Sequence, residues 1–204
     1  MNLRLFLSLW VLASSAPALA QLDNISPGEL ALTSEYCPDT QTFAGKYTTG
    51  AVAERQRKWV SMMGETFWTM HHYCWAQVAW IRATQAGVSP QTRDGLLRGA
   101  ISDIYYVINH APADYVLMPE LLTRIGEYYT RLGNASQASA HFQRAIDAKA
   151  DYWPPYVRLA DIYLQLGERT KALEIIDAGL RHVPGNAQLT ESRSRITARG
   201  AKSN

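Results

Sequence analysis

Between Pro119 and Asn186 the apolar positions of the chain repeat at a spacing of 34 residues without a gap. The first copy reads Leu122-x-x-Ile125-Gly126-x-x-Tyr129, then Gly133, Ala138, Phe142 and Ala145. The second reads Tyr156-x-x-Leu159-Ala160-x-x-Tyr163, then Gly167, Ala172, Ile176, Gly179 and Pro184. Leu122, Ile125 and Tyr129 fall at three- and four-residue intervals, so they form one stripe on a helix. Gly133 and Gly167 follow these stripes, where a residue tolerant of left-handed backbone ends a helix at little cost. A second stripe then begins in each copy. Gly126, Ala138, Ala145 and their counterparts Ala160, Ala172 and Gly179 are small, which lets two helices cross closely. Pro119 and Pro154 suit the first turn of a helix, where a missing N–H is harmless. Each copy is therefore predicted to be a helix, a tight turn and a second helix.

One or two such hairpins bury too little surface to stand alone, and about three are normally needed. A divergent upstream copy supplies the third. Ala100, Ile104, Val107 and Pro112 have the same internal spacing as Ala172, Ile176, Gly179 and Pro184. Residues 92–110 read as its second helix and Thr66 to about Gln85 as its first, with Pro90 inside a long connection. The predicted organisation is a removable leader over 1–20 and an irregular cap over 21–62. A divergent hairpin over 63–118 follows, then repeats over 119–152 and 153–186, then a capping helix and tail over 187–204. Within the cap, short helical pieces are expected near 28–35 and from Ala53 to Met63.

This pattern resembles the tetratricopeptide repeat family. Leu122 and Tyr156 stand where that family usually has tryptophan, and Ala150 stands where the first copy would have a terminal proline. The resemblance implies an all-α fold of two clear hairpin repeats and one divergent one, wound into a short right-handed superhelix. It also implies that first helices line a concave groove for a protein or peptide partner. On that implication the groove residues are Glu120, Arg124, Glu127 and Arg131 from one copy and Arg158, Asp161 and Gln165 from the next, with Thr123 and Val157 beside them. Some relatives grip a C-terminal carboxylate with asparagines. Glu127 and Asp161 occupy those places here, which argues against that mode. Arg124 with Glu127, and Arg158 with Asp161, are spaced as ion pairs along single helices. Tyr152, Trp153 and Tyr156 are candidate aromatic anchors, with Tyr156 favoured as core.

Residues 1–20 carry a basic start at Arg4, an apolar run over 5–13 interrupted at Ser8, and Ala18-Leu19-Ala20. That is the pattern of a secretory signal cleaved before Gln21. The run is too short to cross a bilayer, which takes about 20 residues. The mature chain is expected to be periplasmic or secreted, without a transmembrane segment. The formal net charge is +2, which gives no electrostatic case for nucleic acid. Cys37 and Cys74 form an even pair, and in an oxidising compartment such a pair favours a disulfide.

One segment looks chemically rich: Met70-His71-His72-Tyr73-Cys74. Met70 and Cys74, and His71 and Cys74, would share a helix face, which suits a soft or borderline metal. A structural zinc site needs four ligands, however, and two or three are in reach. Packing is the reading preferred for this segment, and the alternative is a metal- or redox-linked periplasmic accessory protein that uses it. Neither a nucleophile motif nor a carboxylate pair at catalytic spacing is present, so no enzyme, cofactor or resident metal is expected.

Overall fold

The structure is a computed structural model that describes residues 24–201. The proposed signal segment lies outside the described residues. Nine α-helices are described: α1 (Pro27–Ala31), α2 (Val52–Met63), α3 (Met70–Ala83), α4 (Pro90–His110), α5 (Met118–Arg131), α6 (Ala135–Ala148), α7 (Pro154–Gln165), α8 (Arg169–His182) and α9 (Ala187–Ala201). Two short 3-10 segments, Cys37–Asp39 and Gly64–Thr69, interrupt the N-terminal part. Among the described residues the sole β feature is an isolated bridge between Ala44 and Thr48.

The helices pack as hairpins α3/α4, α5/α6 and α7/α8, and these stack in order with α9 on the end. The limits of α6 and α8 lie 34 residues apart at both ends. Gly133 and Gly167 end their helices with φ of 75° and 77°. Asn134 caps α6 by accepting the Gln137 N–H.

Small and large residues interlock at the hairpin crossings. A Cβ on Gly126 would stand 2.5 Å from the Phe142 ring. One repeat later the pair is Ala160 and Ile176, both buried, so a larger residue on one helix accompanies a smaller one on its partner. Gly179 sits beneath Tyr156 and Leu189, at 3.0 and 3.1 Å from a notional Cβ. Tyr156 is buried there, and its hydroxyl donates to the Ala150 carbonyl.

The divergent hairpin differs from the sequence expectation at two points. Its first helix becomes α-helical only at Met70, after the 3-10 turn that starts at Gly64. Pro90 is not inside the connection: it opens α4, and the Ser89 hydroxyl accepts the Thr92 N–H to cap that helix. Proline fits this place because the first-turn N–H has no helical partner.

The N-terminal segment belongs to the same core as the first hairpin. Ile25, Tyr36, Cys37, Phe43 and Trp59 cluster with α3, α4 and α5. Phe43 is fully buried, with its ring 4.8 Å from that of Trp75. Cys37 and Cys74 are bridged, with their Cα atoms 5.6 Å apart. The carboxylate of buried Asp39 accepts from Arg55 Nε at 2.7 Å and Trp59 Nε1 at 2.9 Å, tying α2 to the turn that carries Cys37. Burying a carboxylate is tolerable only with such partners.

At the other end, α9 turns Leu189, Ser192 and Ile196 inward. Its residues Arg193 and Ser194 are exposed, as the last element of a stack requires.

Candidate functional site

The inner face is formed by α3, α5, α7 and α9. Three adjoining cavities run along it. The central one, about 480 Å³, is lined by Trp80, Glu127, Thr130, Arg131, Arg158, Asp161, Ile162 and Gln165. It shares Trp80 with a cavity of about 340 Å³ that Leu32, Gln77, Ile81, Thr84, Arg124 and Tyr128 complete. It shares Arg158 with a third, of about 230 Å³, formed by Trp153, Pro154 and Val157 of the α7 region and Gln188, Glu191, Ser192 and Arg195 of α9. The three therefore lie side by side along a groove face that spans four helices.

Of the groove residues expected from the sequence, Glu127, Arg131, Arg158, Asp161 and Gln165 come together in the central cavity, and Arg124 lies next to it. Glu120 does not join them. Its carboxylate accepts the Tyr73 hydroxyl at 2.7 Å. Thr123 is buried, and its hydroxyl donates to the Pro119 carbonyl within the helix.

Of the two ion pairs the helix spacing suggests, one forms and the other does not. Arg124 Nη1 does donate to Glu127 Oε2, at 2.9 Å. Arg158, however, reaches back across the repeat junction, and its Nε donates to Glu127 Oε1 at 2.8 Å. Asp161 is instead approached by Arg195 of α9 at 3.3 Å. Glu127 is thus a mostly buried hub, its side chain 11% exposed, between two arginines whose side chains remain 44% and 52% exposed. Two charge-assisted contacts on one carboxylate hold α5 and α7 in register along the groove floor.

Trp80 joins the groove although helical spacing does not single it out. Its ring stacks on that of Tyr128 at 5.2 Å and 17°, and the Tyr128 hydroxyl donates to the Ala76 carbonyl. Burial raises the Tyr128 pKa, so this hydroxyl stays a donor. Leu32, 71% exposed, forms the apolar lip of the same end. Gln77 fixes that lip: its carbonyl accepts from the Ser34 N–H at 2.8 Å and the Ser34 hydroxyl at 3.1 Å, two residues beyond Leu32. Of the candidate aromatic anchors, Trp153 lines the far cavity, while Tyr156 belongs to the core.

The Met70–Cys74 segment does not assemble a ligand set. Met70 is fully buried and its sulfur accepts the Tyr115 hydroxyl at 3.2 Å. Cys74 is consumed by the disulfide. His71 and His72 face the outer side of the α3/α4 hairpin in a run of stacked rings with Tyr106 and His110, with neighbouring centroids 4.5, 4.0 and 4.2 Å apart. His72 Nδ1 is 2.8 Å from Asp103. Among the described residues, no three His, Cys, Asp or Glu side chains converge as a metal site. No described helix is long and apolar enough to cross a membrane.

Residues 129–196 match the family model for the tetratricopeptide repeat. No curated protein sequence matches the chain. Among solved structures, it is similar to a thermophilic TPR protein of Thermus thermophilus, with a TM-score of 0.56 and 19% identity over 72% of each chain. It is also similar to the first TPR of Spaghetti bound to an HSP90 peptide, with a TM-score of 0.44 and 20% identity over 62% of this chain and 96% of that one. At 19% identity the first likeness is one of fold. The family match covers residues 129–196, and the stacked hairpins are those of the tetratricopeptide repeat fold.

Proposed function

We propose that this chain is an exported adaptor that holds a segment of a partner protein in the groove formed by α3, α5, α7 and α9, in a bacterial envelope assembly or secretion process. The observation that carries the reading is the groove itself. Three cavities adjoin one another, and seven of the eight residues that line the central one come from successive repeats. A groove that combines an apolar end with half-exposed arginines suits a polypeptide, which offers side chains and a backbone to hydrogen-bond at once. The signal-like leader and the paired cysteines support export. Charges of the groove floor also pair across helices, Arg158 with Glu127 and Arg195 with Asp161, which fixes the helices that would hold a chain.

The test is co-purification from envelope extract with the mature chain as bait, beside a variant carrying Arg124→Glu and Arg158→Glu. The expected result is one or a few partners recovered by the native chain and lost with the variant, which keeps its helical spectrum. Recovery of the same proteins by both chains contradicts the reading.

A further inference from the structure

We infer that the occupant of this groove is an extended, acidic segment of the partner that places an aliphatic or aromatic residue on the Leu32–Ile81–Trp80 end and a carboxylate among Arg124, Arg131 and Arg158. The inference rests on the groove being a polypeptide site, and it names the chemistry of what is held.

The sign of the charge follows from which groups are already spent. Both carboxylate oxygens of Glu127 are occupied by guanidiniums. Asp161 has Arg195 within 3.3 Å. Glu191, at the far end, is the remaining acid of the lining. Each arginine carries five N–H donors, and the contacts with Glu127 use Nη1 of Arg124 and Nε of Arg158. Arg124 also meets the Tyr73 hydroxyl, whereas Arg158, its side chain 52% exposed in the lining of the central cavity, keeps donors unspent. Arg131 is exposed in the central cavity and makes no ion pair among the described residues. The groove thus offers unused donors and few unused acceptors. A lysine or arginine of a partner would meet guanidiniums first, and the Glu127 carboxylate could be reached only by displacing them. A partner carboxylate completes the forks without breaking an existing pair.

The apolar half lies next door. Leu32 and Ile81 line the same cavity as Trp80, and Gln77 holds the lip in place through Ser34. Neighbouring packed helices sit about 8–10 Å apart. One to two such spacings separate Trp80 on α3 from Arg158 on α7, and an extended chain covers them with roughly three to five residues at about 3.3 Å each. A helical segment would need more than twice as many residues for the same span.

Two exposed positions allow a test that leaves the core alone: Leu32→Ser for the apolar end and Arg131→Glu for the charged end. The probes are three pools of fluorescein-labelled degenerate decapeptides. One fixes Leu or Phe four residues from Asp or Glu. The second puts Lys in place of the acid, and the third puts Ser in place of the apolar residue. Anisotropy titration of the whole mature chain is expected to show the first pool binding at least tenfold more tightly than the other two. Its affinity should fall at least fivefold with either substitution and weaken as salt rises. Equal or tighter binding of the lysine pool overturns the inference, as does binding that both variants leave unchanged, or no binding by any pool. In each of these cases the co-purification experiment still decides separately whether the groove holds a protein.

Discussion

Arg158 donates to Glu127 across the junction between repeats, at 2.8 Å, and leaves Asp161 of its own helix to Arg195 of α9. The groove floor is therefore cross-linked from helix to helix as well as along α5. A double-mutant cycle separates the two arrangements. Because Arg158 is half exposed, the coupling of Arg158→Ala with Glu127→Ala is expected at about 0.2–1 kcal/mol in urea unfolding. Arg158→Ala with Asp161→Ala should be additive to within about 0.5 kcal/mol. The reverse ranking would contradict the observed pairing.

The interlock of Gly126 with Phe142 makes a sharper prediction. A methyl group at Gly126 would stand 2.5 Å from the ring, so Gly126→Ala should cost on the order of 1–3 kcal/mol through overpacking. The next repeat shows the remedy, because it carries Ala160 with Ile176 at the same places. Adding Phe142→Ile to Gly126→Ala should recover part of the loss, so that the double variant is more stable than the sum of the two single effects. Additive losses would mean that the two side chains do not share the space.

That compensation is legible in the sequence, because small and large residues recur at a fixed offset and helical spacing fixes which faces meet. The seven groove candidates come from the same register, and six of them line the inner face. Glu120 departs for a reason that no period reveals: Tyr73, which binds it, belongs to the divergent hairpin. Trp80 escapes notice for a related reason. The 3-10 turn before α3 breaks the register, so spacing alone does not identify the inner side of that helix. The partner of Arg158 differs from the one expected because three-residue spacing describes one helix, whereas ion pairs between helices depend on their stagger.

The disulfide holds the lip of the groove. Cys37 and Cys74 close a loop across 37 residues of sequence, and a crosslink of that size stabilises by roughly 4 kcal/mol in the chain-entropy model. Cys37→Ser with Cys74→Ser should lower the unfolding free energy by an amount of that order. It should also weaken binding at the Leu32 end, since Ser34 and Gln77 sit beside Cys37. Unchanged stability after reduction would show that the cap docks without the bridge.

Acid should loosen the repeat over 119–152 through His141. This side chain is buried between Tyr105 and Tyr129. Its Nδ1 lies 2.7 Å from the Gln137 carbonyl and its Nε2 lies 2.6 Å from the Tyr105 hydroxyl. Nδ1 donates, so Nε2 accepts, and the ring is held neutral. Burial, reinforced by Arg144, lowers its pKa from 6.5. The unfolded chain therefore takes up a proton first. Stability is level above about pH 6.5 and falls as the pH drops from there toward the lowered native value. His71 is lowered in the same direction by burial and by His72. His141→Phe should flatten part of this slope, measured as unfolding free energy between pH 7 and 5. Glu29 does not confuse the window: its bond to Arg82 lowers its pKa to about 2, so its contribution is lost only as the pH falls below 4.5.

The account turns on polypeptide binding at the concave face. The direct measurement is photo-crosslinking in the source cell, with benzoylphenylalanine placed at Thr130 or Gln165 in the groove and at Gln143 on the exposed face of α6. Adducts to the same partner protein from Thr130 and Gln165, and none from Gln143, are the predicted result. Adducts from Gln143 alone, or none from either groove position, would contradict it.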